Sequence, residues 1–140
     1  MSKIKLDIVT VEKLVFSQDV DGVIAPGVEG ELGILPQHAP LVTMLQPGVV
    51  IIKADGEETE MAVSGGYMEV RPEYIIILAD SAERAEEIDI ARAEAARARA
   101  EQARGEAPAG AEAALAAEAA LKRSLVRLKV ARRRRREKPV

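Results

Sequence analysis

The 140-residue sequence predicts an α+β chain, with an N-terminal antiparallel β-sandwich over residues 1–84 followed by a C-terminal two-helix hairpin over residues 85–140. Three observations carry that expectation. Apolar residues recur at every second position in short runs through the first 80 residues, dense Gly and Pro punctuation separates those runs, and from Glu86 the composition turns to Ala, Glu and Arg. Charge divides at nearly the same place. Residues 1–80 carry five Lys and Arg against thirteen Asp and Glu, a net −8, while residues 81–140 carry fifteen against ten, a net +5, which together give −3. Such asymmetry bears on partners and solubility rather than on fold.

Ile4, Leu6 and Ile8 alternate with Lys3, Lys5 and Asp7, the two-residue period of a strand with one buried face. Further β-like runs follow at 13–17, 20–25, 33–35, 41–45, 49–53, 58–63, 66–70 and 74–78. Asp55-Gly56 is the strongest hairpin signal, because a two-residue turn needs positive φ and this dipeptide adopts it readily. Turns every eight to twelve residues favour an antiparallel sandwich or barrel over a parallel sheet. Tyr74-Ile75-Ile76-Ile77-Leu78 is apolar on both faces, which predicts a strand with both faces at least partly covered.

From Glu86 to Arg104 nearly every residue is a good helix former, so a first helix is expected there, with Ser81 or Asp80 as its cap and Glu83 and Glu86 near its positive end. Gly105 and Pro108-Ala109-Gly110 interrupt the pattern, and a second helix is expected from Ala111 to about Arg136. Leu121, Leu125 and Leu128, at i, i+4 and i+7, supply its docking stripe, with Arg123 and Arg127 largely on another face. Between residues 81 and 139 only eight aliphatics exceed alanine in size, too few to order two helices unaided. The hairpin must therefore borrow apolar surface, and an element with two possible docking surfaces can act as a switch.

The chain has no cysteine, so disulfides, thiolate zinc sites and cysteine nucleophiles are excluded, and with His38 as the one histidine no metal site is expected. No apolar signal core opens the sequence and no run of about 18 apolar residues occurs, so direct bilayer insertion is not expected. Asp89 and Arg92 stand three residues apart on one helical face, a spacing that on a generic helix reads as an ion pair worth a few tenths of a kcal/mol. Arg99 follows two turns after Arg92, and Arg123 and Arg127 form a one-turn pair on the returning helix, where an antiparallel hairpin would let them converge.

The stretch Gly27-Val28-Glu29-Gly30-Glu31-Leu32-Gly33-Ile34-Leu35-Pro36-Gln37-His38-Ala39-Pro40-Leu41 resembles the N-terminal half of the ε subunit of bacterial F-type ATP synthases. The likeness continues in order through Pro47-Gly48-Val49, Ser64-Gly65-Gly66-Tyr67-Met68-Glu69-Val70 and Leu78-Ala79-Asp80-Ser81-Ala82, covering residues 4 to about 131. Ile88-Asp89-Ile90-Ala91-Arg92-Ala93 is similar to that family's nucleotide-binding motif.

The resemblance implies a sandwich seated on the rotor, touching the γ subunit and the polar loops of the c-ring through positions matching Glu29, Glu31 and His38. It further implies a mobile helical region that inhibits ATP hydrolysis by reaching the β and α subunits. ATP enters as a regulatory ligand that is not hydrolysed, at positions matching Glu83, Ile88, Asp89, Arg92, Ala93, Arg99, Arg123 and Arg127. Clustered guanidiniums repel unless an anion sits among them, and bidentate arginine contacts suit a triphosphate. Gly27–Gly33 lacks the Lys-Ser/Thr ending of a P-loop, so the chain is expected to be a non-catalytic subunit. Its expected place is peripheral, on the cytoplasmic face of the bacterial membrane.

Two alternatives remain open at this level. One is a subunit of this kind with a coupling role only, in which Asp89 and Arg92 form a plain ion pair. The other is a small β domain with a basic nucleic-acid-binding arm, resting on Arg132–Arg136. The few aromatics, all in the β half, argue against single-strand binding, and the family reading expects no nucleic acid.

Overall fold

The computed structural model describes residues 2–106 and 112–137. The chain divides into two compact units, residues 1–84 and 85–140.

The first unit is all β: β1 (Ile4–Val9), β2 (Leu14–Val20), β3 (Gly22–Gly27), β4 (Gly30–Ile34), β5 (Leu41–Leu45), β6 (Gly48–Ala54), β7 (Glu57–Val63), β8 (Gly66–Val70), β9 (Tyr74–Ala79) and β10 (Ala82–Arg84). Nine strands run in the order β10-β7-β6-β3-β5-β8-β9-β1-β2, with β4 paired on β3. The expected hairpin forms at Asp55-Gly56, with Ala54 opposite Glu57 and φ of 53° and 79° at the two turn residues. Pairing is antiparallel except between β1 and β9, which run parallel with Leu6 opposite Ile75. The purely antiparallel expectation therefore misses one pair, because β1 and β9 are distant in sequence and no short turn constrains their direction.

Ile4, Leu6 and Ile8 point inward with Val50, Ile52, Met61, Met68, Ile75 and Ile77, and this core lies wholly within the first unit. β9 has both faces covered, one of them only in part, as expected: Ile75, Ile77 and Ala79 are buried, while on the other face Tyr74 and Ile76 are half-buried and Leu78 is 54% exposed. Close backbone approach explains one glycine of the Pro47-Gly48 turn, where a Cβ at Gly48 would stand 2.5 Å from the Pro26 Cβ.

β10, too short to show a period, is not anticipated by the sequence. It pairs with β7, setting Glu83 opposite Ala62 and Arg84 opposite Met61. Its last residue reaches the other edge strand. Arg84 donates from Nη2 to the Val15 carbonyl at 3.3 Å and lies 5.8 Å over the Phe16 ring, tying β10 to β2.

The second unit opens with a 3-10 turn, Ala85–Glu87, and continues as α1 (Ile90–Glu106) and α2 (Glu112–Glu137). Neither Ser81 nor Asp80 caps α1. The Ser81 hydroxyl donates to Ser64 Oγ at 2.8 Å, and the strand and 3-10 turn delay the helix until Asp89, whose Oδ1 accepts from the Arg92 backbone N–H at 3.1 Å. Gly105 falls inside α1 rather than ending it, and the expected break at Pro108-Ala109-Gly110 lies outside the described residues.

Among the described side chains of α2 the buried positions are Ala117, Leu121, Ser124, Leu128 and Ala131, a seam of alternating four- and three-residue steps, together with Val130. Leu125, expected in the stripe, is instead 48% exposed, because seven residues after Ala117 the seam passes through Ser124. On α1 the buried positions are Ala93 and Ala100. An ion pair between Arg132 and Glu94 joins the end of α2 to the start of α1, so the helices are antiparallel.

Candidate functional site

Each of the four helical arginines singled out by the sequence stands one position before a seam residue: Arg92 before Ala93, Arg99 before Ala100, Arg123 before Ser124 and Arg127 before Leu128. One position is about 100° of helical rotation. Reversing the direction of the second helix and turning its seam to face the first each invert the sense of that rotation, so the two inversions cancel. All four arginines therefore lie on one flank of the hairpin. Glu94, Glu101 and Arg132 each follow a seam residue and lie on the opposite flank, as the Arg132–Glu94 pair requires.

The same pair sets the axial register. With residue 132 level with residue 94, Arg127 stands level with Arg99. At about 1.5 Å per residue, Arg92 lies roughly 10 Å to one side of that level and Arg123 roughly 6 Å to the other. The hairpin thus brings Arg99, Arg123 and Arg127 within about one turn of each other, with Arg92 two turns from Arg99.

The two flanks differ in charge balance. On one, Glu94 accepts from Arg97 at 3.1 Å and pairs with Arg132, while Arg97 also meets Glu101 at 2.9 Å. On the other, Arg92, Arg99 and Arg123 are exposed, and among the described residues none of these three has a carboxylate within ion-pair distance. Arg127 is half-buried, with its Nε shielded from solvent. Asp89 is exposed, and its Oδ1 meets the backbone N–H of Arg92 rather than the guanidinium. Ile88 and Ala93 are buried. Glu83 belongs to the first unit, on β10.

In the first unit Glu29 and Glu31 flank Gly30 on the exposed β3–β4 turn, where Gly30 takes a φ of +134°. His38 is half-buried in the connection from β4 to β5 and donates from Nδ1 to the Ala39 carbonyl at 2.7 Å. The carboxylates and the histidine leave opposite ends of β4, so the fold does not bring these three together. Sequence reasoning missed an apolar row. Met44 pairs with Tyr67 and Tyr67 with Leu78 across β5, β8 and β9, all three side chains are about half exposed, and Val42 extends the patch. Strand alternation marks two faces without saying which one stays open, so the signal was present but undirected.

Among the described residues no helix is long and apolar enough to cross a membrane, and no group of three or more His, Asp and Glu could hold a metal ion.

A rolled ten-stranded sheet followed by an antiparallel helical pair matches two family descriptions in tandem. Residues 3–85 match "ATP synthase, Delta/Epsilon chain, beta-sandwich domain" and residues 86–132 match "ATP synthase, Delta/Epsilon chain, long alpha-helix domain". The chain belongs to the ATP synthase delta/epsilon chain family. Within it, the chain is similar to proteins named ATP synthase epsilon chain. That of Dehalococcoides mccartyi is 55% identical over 140 residues, all of both chains, and that of Chloroflexus aggregans is 54% identical over 128 residues, 91% of each. A chain in the mitochondrial ATP synthase of Euglena gracilis shares the fold, with a TM-score of 0.80 at 23% identity, covering 94% of this chain and 82% of that one.

Proposed function

We propose that this chain works in the central stalk of a bacterial F-type ATP synthase as a non-catalytic rotor subunit, coupling γ to the c-ring and restraining ATP hydrolysis through its C-terminal helices. ATP is its regulatory ligand. The observation that carries the nucleotide reading is the arginine flank, where among the described residues Arg92, Arg99 and Arg123 have no carboxylate within ion-pair distance while Arg97 and Arg132 on the other flank do. A polyanion on the first flank stabilises the folded hairpin by relieving that repulsion. Because such a ligand shifts the equilibrium only by its preference for the folded hairpin, the inhibition threshold follows ATP affinity. At 100 times its dissociation constant, ATP stabilises the binding state by about 2.7 kcal/mol. When ATP is scarce, the helices extend toward the α and β subunits.

On the sandwich, the apolar row Met44, Tyr67 and Leu78 offers a protein partner the kind of patch that monomers seldom leave open, and it suits γ. The acidic turn at Glu29 and Glu31 suits the polar loops of the c-ring. The subunit's place is peripheral, on the cytoplasmic face of the membrane.

A second reading, coupling without nucleotide binding, is favoured by one observation: Asp89, in the motif that suggested a ligand, has its carboxylate engaged in capping α1. Isothermal titration of the full chain with ATP separates the two. Binding that weakens at least about tenfold in Arg92→Ala, with the β signature of the circular dichroism retained, supports the first reading. Absence of binding by the unaltered chain leaves coupling alone.

A further inference from the structure

The alanines that α1 buries are poor markers of register. Ala93 and Ala100 give a smooth seam, and Leu121 and Leu128 would pack beside alanine equally well one turn away. Polar contacts on the flank opposite the four arginines mark the register instead. Glu94, half-buried, takes Arg97 on one carboxylate oxygen and Arg132 of the other helix on the second, and Arg97 is itself held by Glu101.

We propose that Glu94 and Arg132 are positioning residues for the arginine flank: by pairing across the hairpin they fix the register that sets Arg99 level with Arg127. This rests on the nucleotide reading above only for the identity of the ligand. A slip of one turn, about 5.4 Å, would carry Arg123 and Arg127 past Arg99 without touching any of the four. Glu94→Arg does more than remove the tie, since it places a third guanidinium beside Arg97 and Arg132. Arg132→Glu sets a carboxylate against Glu94. Exchanging both charges rebuilds an attractive pair with its ends swapped.

The chain has no cysteine, so two can be introduced for spin labels at exposed positions on the two helices, Ala98→Cys and Lys129→Cys, in the full-length protein. Pulsed electron paramagnetic resonance then reads the inter-helix distance, and titration with ATP on the same variants reads affinity. The unaltered pair gives one narrow distance. Glu94→Arg and Arg132→Glu each displace that distance by about one turn or broaden it by as much, and each lowers ATP affinity about fivefold. The double exchange restores the narrow distance and brings affinity back to within about twofold.

Distances unchanged in both single variants would overturn the proposal. So would displaced distances that the double exchange fails to restore, or displaced distances with ATP affinity intact. If the unaltered chain binds no ATP, the nucleotide reading falls, and the distance measurement alone still decides whether the pair sets the register.

Discussion

Gly66 shows how tightly a single backbone position can be specified. It holds φ at +141°, a region closed to other residues, and a Cβ there would run into the Leu78 carbonyl oxygen and come within 2.9 Å of the Ala79 Cα. Gly66→Ala is expected to destabilise the sandwich by about 2–4 kcal/mol, read as a lowered midpoint in urea at unchanged slope. Lys3, Asp21 and Asp55 make a contrasting set on the surface. Lys3 Nζ meets Asp55 at 2.7 Å and Asp21 at 3.3 Å, and Asp21 also accepts the Asp55 backbone N–H at 2.8 Å.

The N–H of Asp55 and then Lys3 hold the Asp21 carboxyl below its usual range, so its contribution is present above the ordinary pKa of 3.8 and is lost as pH falls through the lowered value. Asp55, then Asp21, raise Lys3 above 10.5, so its contribution is present below that pH and is lost as pH rises through the raised value. The stability gap between the parent and Asp21→Asn in urea should therefore be widest near neutrality and narrow at both extremes. A gap independent of pH would remove Asp21 from the network. Individual positions of these two kinds differ in how far the sequence exposes them. Gly65-Gly66 can be seen in the sequence as punctuation, whereas the convergence of Lys3 with residues 18 and 52 positions away depends on the β1–β2 and β3–β6 pairings and leaves no local trace.

At the scale of elements, the strands were readable wherever side-chain alternation was strict. β5 and β8 have the expected bounds, and β1, β6, β7 and β9 extend by a residue or so at their ends. The helices were readable from composition, but their starts and seams were not. α1 begins four residues after Glu86, because Ala82–Arg84 pairs with β7 before the helix can form and Asp89 is the first residue able to cap it. The α2 seam steps through Ser124 rather than Leu125, since spacing from Ala117 outweighs the larger side chain. Leu125 is left on the flank that carries the ion pairs, beside Lys122, Leu115 and Arg104, where it lines a shallow groove. The four candidate arginines could be named from the sequence. Their common flank could not, because it depends on the seam, and the lack of an ion-pair partner for Arg92, Arg99 and Arg123 among the described residues became visible only when Glu94 and Glu101 were seen engaged with Arg97.

For the molecule as a whole, the division at Arg84 has an energetic meaning. Among the described residues, every member of the sandwich core cluster lies between Ile4 and Ala79, with Ala82 packed against it. A chain ending at Arg84 is expected to keep its β circular dichroism and to unfold cooperatively on heating. Loss of the cooperative transition would show that the helical unit is required for the sandwich to fold. The acidic balance falls on the sandwich side of this division and the basic balance on the helical side, so the two units face their surroundings with opposite fields. The contact between Arg84 and the far edge strand bears on this junction. Any pull transmitted along the backbone from the helices enters the sandwich through β10, and three paired residues would peel from β7 one at a time. With the Arg84 guanidinium seated on Val15 and Phe16, the tension divides between β7 and β2, at opposite ends of the strand order. The joint is thereby loaded as a rivet through two plates rather than as a strip of tape.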